Sequence, residues 1–199
     1  MKKIPTLFER EFEKNGEKHT KDIVTPGMEW VLAGEGVATL KLDGACCAII
    51  DGELHKRYDC KKGRKAPEGF IPCDEPDKIT GHWPGWVKCS RTDPADKWFW
   101  KAYDHTAEEH PEICQDALPD GTYEAIGIHF QGNPYGLDYD VLVPHGKIEL
   151  EVERSFEGIR KYLAENCVEG IVFWKDGQPG CKIKRSDFGF AWNRKEKRK

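Results

Sequence analysis

The sequence lacks several features that would assign a protein to a class at once. It has no run of about 18 or more apolar residues, so no membrane-spanning helix is expected. No apolar stretch follows the charged start at residues 1–5, so we expect a protein that is not secreted. Its eight cysteines include no Cys-x-x-Cys pair, which argues against a zinc ribbon. A net charge of -4 leaves no overall positive excess that could hold the chain on nucleic acid by bulk charge alone.

The composition is that of a globular chain with a core of its own. The 199 residues are 38% hydrophobic and 33% charged, which fits one domain, expected over residues 1–186. Residues 187–199 form a basic tail, either a solvated end or a segment that contacts phosphates or directs nuclear import. The cysteines are interpreted as small buried side chains in a reducing compartment. We therefore expect a cytoplasmic protein, or a nuclear one if the source is eukaryotic.

Turn and periodicity signals predict an α+β fold with mainly antiparallel sheet. Asp51-Gly52 favours a two-residue hairpin in which Ile50 lies opposite Glu53 and, by counting back, Cys46 lies opposite Arg57. Further strands are expected at 122–128, 141–143, 170–174 and 181–184, with turns at 176–177 and 179–180 between the last two. Helices are expected at 97–109, capped by Asp93, and from Ser155 onward. Residues 1–30 have a partly helical pattern, and 60–95 look like a long structured loop.

Lys41-Leu42-Asp43-Gly44 is the strongest local signal for chemistry. Alone, such a tetrapeptide is most often a surface turn. Here the lysine ends a strand-like run over residues 37–40 that leads into the core. Because desolvation disfavours an ammonium ion and a neutral amine is a nucleophile, Lys41 becomes a candidate for covalent catalysis.

The second predicted hairpin offers groups that could bind a metal-bridged triphosphate. Lys182 and Lys184 are two residues apart, so both point to one face of a strand while Ile183 points into the core. Glu169 begins the partner strand and could reach the same face, where a carboxylate would hold a cation and the lysines would hold phosphate oxygens. An ordinary ion pair on a solvated face remains the alternative. Glu124 is similarly either a buried acceptor for ribose hydroxyls or a solvent-facing residue.

Taken in chain order, these elements resemble the covalent nucleotidyltransferases, which include polynucleotide ligases and mRNA capping enzymes. Lys41-Leu42-Asp43-Gly44 matches their Lys-x-Asp-Gly nucleophile motif. The other matching segments are Lys56-Arg57-Tyr58-Asp59, Tyr123-Glu124-Ala125-Ile126-Gly127, Glu169-Gly170-Ile171-Val172-Phe173 and Lys182-Ile183-Lys184. The resemblance covers residues 34–186 and is greatest to a small family of ATP-dependent 5′-3′ RNA ligases. Residues 56–76, 81–86 and 132–135 are similar to that family.

The resemblance implies a fold, a reaction and a set of site residues. The fold would be a nucleotidyltransferase (adenylation) domain of antiparallel sheets flanked by helices. The reaction would join 5′-phosphate and 3′-hydroxyl RNA ends through lysyl-AMP, using ATP and Mg²⁺ (or Mn²⁺). Lys41, Lys182 and Lys184 would be catalytic, and Glu169 would bind the metal. The implied nucleotide-binding residues are Leu40, Lys41, Asp43, Gly44, Arg57, Glu124, Lys182 and Lys184.

Two departures from the superfamily pattern matter. Cys46 stands where many DNA ligases have Arg, which weakens a DNA-ligase interpretation. Fifteen residues follow Lys184, where DNA ligases and capping enzymes continue into an OB-fold domain, so we expect no such domain here. A GTP-using capping-type enzyme and a non-catalytic nucleotide- or RNA-binding module of the same fold remain alternatives.

Several residues are candidates for contact with RNA or with the base. Lys61, Lys62, Arg64 and Lys65 form a basic cluster soon after Arg57 and are candidates for RNA binding. RNA bases could stack on Trp83, Trp86, Trp98 or Trp100, although at least one of the last two is expected in the core. The aromatic residue that would stack on adenine is not assigned, with Tyr139 and His145 as candidates.

Overall fold

Short strands separated by glycine-containing turns make up most of the chain. The computed structural model describes residues 2–12, 18–114 and 117–192. Most of the expected basic tail, residues 193–199, lies outside the described residues. The elements follow one another as β1 (Phe8–Phe12), β2 (Lys18–Val24), α1 (Glu29–Leu32), β3 (Val37–Lys41), β4 (Ala45–Ile50), β5 (Glu53–Cys60), β6 (Ile71–Pro72), β7 (Trp83–Lys88), α2 (Lys97–Glu109), β8 (Gly121–Gly127), β9 (Asp140–Pro144), α3 (Phe156–Glu165), β10 (Gly170–Lys175) and β11 (Gln178–Lys184), then a 3-10 turn (Arg185–Phe188).

The chain divides into two compact units. Unit 1 comprises Met1–Lys3 and Asp43–His145, and unit 2 comprises Ile4–Leu42 and Gly146–Lys199. All the strand pairs within the described residues are antiparallel, and three α-helices accompany them. The predicted α+β class with mainly antiparallel sheet is confirmed.

Unit 1 is built on a six-stranded sheet in the order β6-β7-β5-β4-β8-β9. The predicted hairpin register is confirmed, because Ile50 lies opposite Glu53. Both turn residues have positive φ, 52° at Asp51 and 74° at Gly52, as a type I′ turn requires. The core of the unit includes β-strand and α2 side chains, among them Ile49, Leu54, Ala102, Tyr103, Ala125 and Leu142.

Two expectations for unit 1 were wrong. Asp93 does not cap α2; the N-cap position is taken by Asp96, which makes no side-chain capping bond. Its buried carboxylate instead accepts a hydrogen bond from the Ser90 N–H and pairs with Lys56. The 60–95 region is not only loop, because β6 and β7 pair within it and β7 also pairs with β5. Both the N-cap of α2 and the strands within 60–95 are thus determined by contacts with other elements, which the local sequence does not show.

Unit 2 holds a three-stranded sheet in the order β11-β10-β3 and a separate β1-β2 pair. As predicted, α3 begins after Ser155, whose hydroxyl accepts a hydrogen bond from the Gly158 N–H. The core of the unit gathers apolar residues from the sheet, α3 and the N-terminal segment, among them Leu7, Phe8, Ile159, Leu163, Ile171, Phe173 and Ile183.

The N-terminal helical expectation was also wrong. Residues 8–12 and 18–24 form β1 and β2, and the one helix in the described part of residues 1–30 is the start of the four-residue α1. Leu7 and Phe8 are fully buried because the segment before β1 lies along β11, with the Leu7 N–H bonded to the Lys182 carbonyl. The turn between β10 and β11 is shorter than expected, since residues 179–180 lie within β11.

Candidate functional site

In unit 2, sheet register brings together residues that are far apart in the sequence. Lys41 at the end of β3 lies opposite Gly170 of β10, and Gly170 lies opposite Lys184 of β11. A Cβ at Gly170 would come within 2.3 Å of the Ile183 carbonyl oxygen, so only glycine fits at this close approach. Glu169, the residue before Gly170, therefore lies where the ends of β3, β10 and β11 meet.

Glu169 binds two lysines through its two carboxylate oxygens. Lys41 Nζ lies 2.5 Å from Oε2, and Lys184 Nζ lies 2.6 Å from Oε1. The Glu169 side chain is only 6% exposed, so both ion pairs are largely shielded from water. The sequence suggested that Glu169 and Lys184 lie on the same face but did not fix the register. The structure confirms that their side chains meet.

Lys182 completes this group. Burial first, and then the charges of Lys41 and Lys184, lower the pKa of Lys182 to about 8. Among the described residues, no carboxylate lies within ion-pair distance of its Nζ. We call Lys41, Lys182 and Lys184 with Glu169 the lysine cluster. Three amines around one carboxylate leave positive charge unbalanced, which suits a polyanion such as a triphosphate.

Asp187 supports this group from the 3-10 turn, a role that the sequence did not suggest. Its Oδ2 accepts a hydrogen bond from the Lys184 N–H at 2.9 Å, and its Oδ1 lies 2.6 Å from Arg10. Asp187 is buried, and its main-chain carbonyl also accepts from the Thr20 hydroxyl. The end of β11, and with it Lys184, is therefore held by a buried carboxylate.

In unit 1, the Glu124 side chain is largely shielded from water, so the solvent-facing alternative was wrong, and binding of ribose hydroxyls stays a prediction. The side chain is 12% exposed; Oε1 accepts from the Gly44 N–H at 2.9 Å and Oε2 lies 2.9 Å from His145 Nε2. Glu124 on β8 lies opposite Cys46 on β4. Burial, and then Glu124, raise the pKa of the Cys46 thiol to about 12, so it is protonated at neutral pH.

Asp43 and Arg57 also lie in unit 1. The Asp43 N–H donates to the Tyr135 hydroxyl at 2.7 Å, which holds the residue two positions after Lys41 in the sequence. Arg57 lies opposite Trp86, with its guanidinium 5.3 Å from the indole centre, and donates to Cys73 Sγ. The β4-β5 pairing runs from Ile50 opposite Glu53 to Cys47 opposite Lys56, so the predicted Cys46–Arg57 pair, one step further, stays a prediction.

The other residues that the sequence suggested for RNA or nucleotide binding differ in their exposure and contacts. The basic cluster Lys61, Lys62, Arg64 and Lys65 is exposed. Leu40 is half-buried, and its N–H donates to the Ile148 carbonyl. Tyr139 lies against His105, with ring centres 4.6 Å apart.

The four tryptophans named as candidates for base stacking are also partly or wholly occupied within unit 1. Trp86 is 5% exposed, which leaves little of its surface for a base. Trp98 stacks on His129 at 3.3 Å, and Trp100 packs against the core. The Trp83 indole N–H donates to the Asp74 carbonyl.

The eight cysteines form no disulfide. Four of them are fully buried, in agreement with their interpretation as small core side chains.

None of the helices in the described residues has the length and apolar character that a membrane span needs.

The lysine cluster has a donor suitable for Mg²⁺. Mg²⁺ is typically bound by one or two carboxylates together with substrate phosphates, and Glu169 is such a carboxylate. Its two oxygens now hold Lys41 and Lys184, so nucleotide phosphates would have to take over Lys184 when the cation binds at Oε1. The residues present therefore fit a cation that arrives with a nucleotide.

Comparison with known proteins gives relatives of one kind. No family model matches the chain. The chain is 31% identical to RNA ligase 1 of Danio rerio over 78% of its length and 68% of the relative's. It is 27% identical to RNA ligase 1 of Rattus norvegicus over the same shares of both chains. With RNA ligase 1 of Pongo abelii the identity is 30%, over 65% of this chain and 50% of the relative.

Proposed function

This chain belongs to the RNA ligase 1 family, and from that premise we propose that it is an ATP-dependent RNA ligase. It would join 5′-phosphate and 3′-hydroxyl RNA ends through a lysyl-AMP intermediate. The observation that carries the proposal is the contact of Lys41 Nζ with Glu169 Oε2 inside the lysine cluster. The contact supports the proposal because it brings together the lysine proposed as nucleophile, a carboxylate that could accept its proton and a second amine that could bind phosphate.

The first step is attack of Lys41 on ATP. As an ammonium ion, Lys41 must lose a proton before it can act, and Glu169 Oε2 at 2.5 Å is positioned to take it. The amine then attacks the α-phosphorus; a P–N bond forms, the P–O bond to pyrophosphate breaks, and pyrophosphate leaves. The product is AMP attached to Lys41.

The other lysines stabilise the charge that develops on the phosphates. Lys182 and Lys184 present amines on the same face of β11, and Lys182 has no carboxylate partner among the described residues. Preorganised positive groups lower the barrier because they need no rearrangement when the charge develops. Glu169 would hold Mg²⁺, which, when bound, neutralises phosphate charge.

We propose Glu124 and Arg57 as further nucleotide-binding residues because their segments match the family's motifs. Glu124 has acceptor oxygens suited to ribose hydroxyls, and Arg57 has donors suited to ribose or phosphate oxygens. In the second step AMP moves from Lys41 to the 5′-phosphate of RNA. In the third, a 3′-hydroxyl attacks that phosphate, the phosphodiester bond forms and AMP leaves.

The basic cluster at residues 61–65 is a candidate for RNA backbone contact. Its four side chains are exposed and positively charged, so they could neutralise phosphates without reading the sequence. This kind of contact suits an enzyme that must accept different RNA ends.

The direct test is a joining assay. A labelled RNA with a 5′-phosphate and a 3′-hydroxyl is incubated with the full chain, Mg²⁺ and either ATP or GTP, in parallel with a DNA strand of the same sequence. We expect ATP-dependent circular or joined RNA, and none from the Lys41→Ala variant. Joining only with GTP, joining only of DNA, or joining by Lys41→Ala would overturn the proposal.

A further inference from the structure

Three side chains with different donor atoms converge in unit 1. The Sγ atom of Cys46, a carboxylate oxygen of Glu124 and a ring nitrogen of His145 all lie within 4.8 Å of one another. Among the residues that the structure describes, this is the one such group of three. Cys46 and Glu124 are opposite each other on paired strands, and His145 directly follows β9, so rigid sheet positions all three.

The His145 ring and the Glu124 carboxylate are each positioned by a hydrogen bond to a residue outside the group of three. His145 Nδ1 lies 3.0 Å from the Thr122 hydroxyl, which leaves Nε2 facing Glu124. The outer oxygen of Glu124, Oε1, accepts from the Gly44 N–H. Metal-binding histidines almost always use their second nitrogen for such a bond, and ligating carboxylates are likewise hydrogen-bonded. The arrangement therefore has the supporting bonds of a metal site as well as its donors.

We propose that Cys46, Glu124 and His145 form a binding site for Zn²⁺. Zinc accepts sulfur, nitrogen and oxygen donors together, whereas Mg²⁺ and Ca²⁺ need oxygen donors and do not select a thiolate. The ion would replace the Glu124–His145 hydrogen bond, with His145 Nδ1–H then donating to Thr122. Cys46 would release its proton to solvent, because a zinc-coordinating thiol binds as thiolate.

Three protein ligands leave the fourth tetrahedral position open. Zinc sites closed by four protein ligands are structural, and sites with three keep a water or another exchangeable ligand. The Cys46 site is thus of the exchangeable kind. One consequence rests on the proposed function: Glu124 cannot bind zinc and accept ribose hydroxyls at the same time, so zinc and nucleotide would exclude each other.

Titration of the metal-free full chain with Co²⁺ and then Zn²⁺ tests the site without nucleotide or RNA. We expect one Co²⁺ per chain with thiolate-to-cobalt charge-transfer absorption, displaced by Zn²⁺. The variants Cys46→Ala and His145→Gln should each weaken Zn²⁺ binding at least about tenfold, since even supporting residues contribute that much. Cys167→Ala removes the exposed cysteine and is the matched control, with no change expected.

Zinc absorption-edge spectroscopy on the unaltered protein gives a reading that depends on no variant. The expected first shell holds one sulfur atom at about 2.3 Å and otherwise nitrogen and oxygen. A shell without sulfur, a shell of several sulfurs, or unchanged affinity in folded Cys46→Ala protein would overturn the site. Loss of binding in Cys167→Ala would do the same. Failure of the joining assay would leave these measurements unaffected.

Discussion

Lys41 Nζ and Glu169 Oε2 lie 2.5 Å apart, while the second carboxylate oxygen of Glu169 holds Lys184 at 2.6 Å. The sequence separates Lys41 from Glu169 by 128 positions, and the β3-β10 pairing closes that distance. One buried carboxylate thus holds two amines in position. In the proposed reaction it would hold Lys41 in place, accept its proton and release Lys184 to the phosphates.

The first prediction concerns Glu169→Gln. The amide retains the size of the side chain but cannot accept the Lys41 proton as a carboxylate does. We expect the rate of AMP attachment, measured by quenched-flow mass spectrometry, to fall at least about 100-fold, the lower end for loss of a general base. The Mg²⁺ concentration needed for half-maximal rate should rise as well.

Glu165→Gln is the matched control for this substitution. Glu165 is an exposed carboxylate at the end of α3, so its loss should leave both quantities unchanged. If Glu169→Gln formed the adduct at the normal rate with unaltered Mg²⁺ dependence, the role assigned to Glu169 would be wrong.

The second prediction follows from the pKa of Lys182, which burial and the neighbouring lysines lower to about 8. Below that pH the amine is charged and attracts phosphate. Above it, binding must first restore the proton, so ATP affinity should fall with rising pH, by up to about tenfold per pH unit. Calorimetric titration with a non-reactive ATP analogue at a series of pH values measures this.

Lys182→Arg supplies the control, because a guanidinium stays charged throughout this range. Its affinity should not depend on pH near 8, whereas Lys184→Arg should keep the decline. A decline of the same size in Lys182→Arg would mean that another group titrates.

Local structure could be predicted where a short segment determines it. The β4-β5 register follows from Asp51-Gly52, because this pair favours the type I′ turn that joins two strands through two residues, and both residues have positive φ. The α3 start follows likewise from Ser155 and the apolar spacing after it. In both cases residues within a few positions of each other decide the conformation.

The surroundings of Glu124 could not be predicted in this way. That Cys46 faces Glu124 depends on β4 pairing with β8, and no local signal fixes which strands become neighbours. The same applies to the N-terminal segment: Leu7, Phe8 and Phe12 could form a short apolar stripe on a helix. Burial of Leu7 and Phe8 beside β11 and α3 instead favours an extended chain. Lys41, Glu169, Lys182 and Lys184 were singled out by their motifs, and their contacts required the structure.

The third prediction concerns Tyr135, whose hydroxyl accepts a hydrogen bond from the Asp43 N–H. Tyr135→Phe leaves that N–H without its partner, and we expect the free energy of unfolding to fall by about 1 kcal/mol. Urea denaturation followed by tryptophan fluorescence measures it. Tyr139→Phe is the control, since Tyr139 is 41% exposed and should cost much less. Equal effects of the two variants would contradict the account of Tyr135.

The fourth prediction links zinc to the nucleotide. If Glu124 serves both, saturating ATP analogue should weaken Zn²⁺ binding, and saturating Zn²⁺ should weaken analogue binding by the same factor. Competition against a zinc-binding dye, with and without the analogue, measures the first effect. Independent binding of the two ligands would remove Glu124 from the nucleotide site while leaving the zinc site itself in place.

The central claim is that Lys41 becomes covalently attached to AMP. Intact-mass measurement of the protein after incubation with Mg²⁺ and ATP, with GTP in a parallel sample, tests it most directly. The account predicts a gain of one AMP with ATP, none with GTP, and none in Lys41→Ala protein that remains folded. An unchanged mass with both nucleotides, a GMP adduct, or an AMP adduct on the Lys41→Ala variant would contradict it.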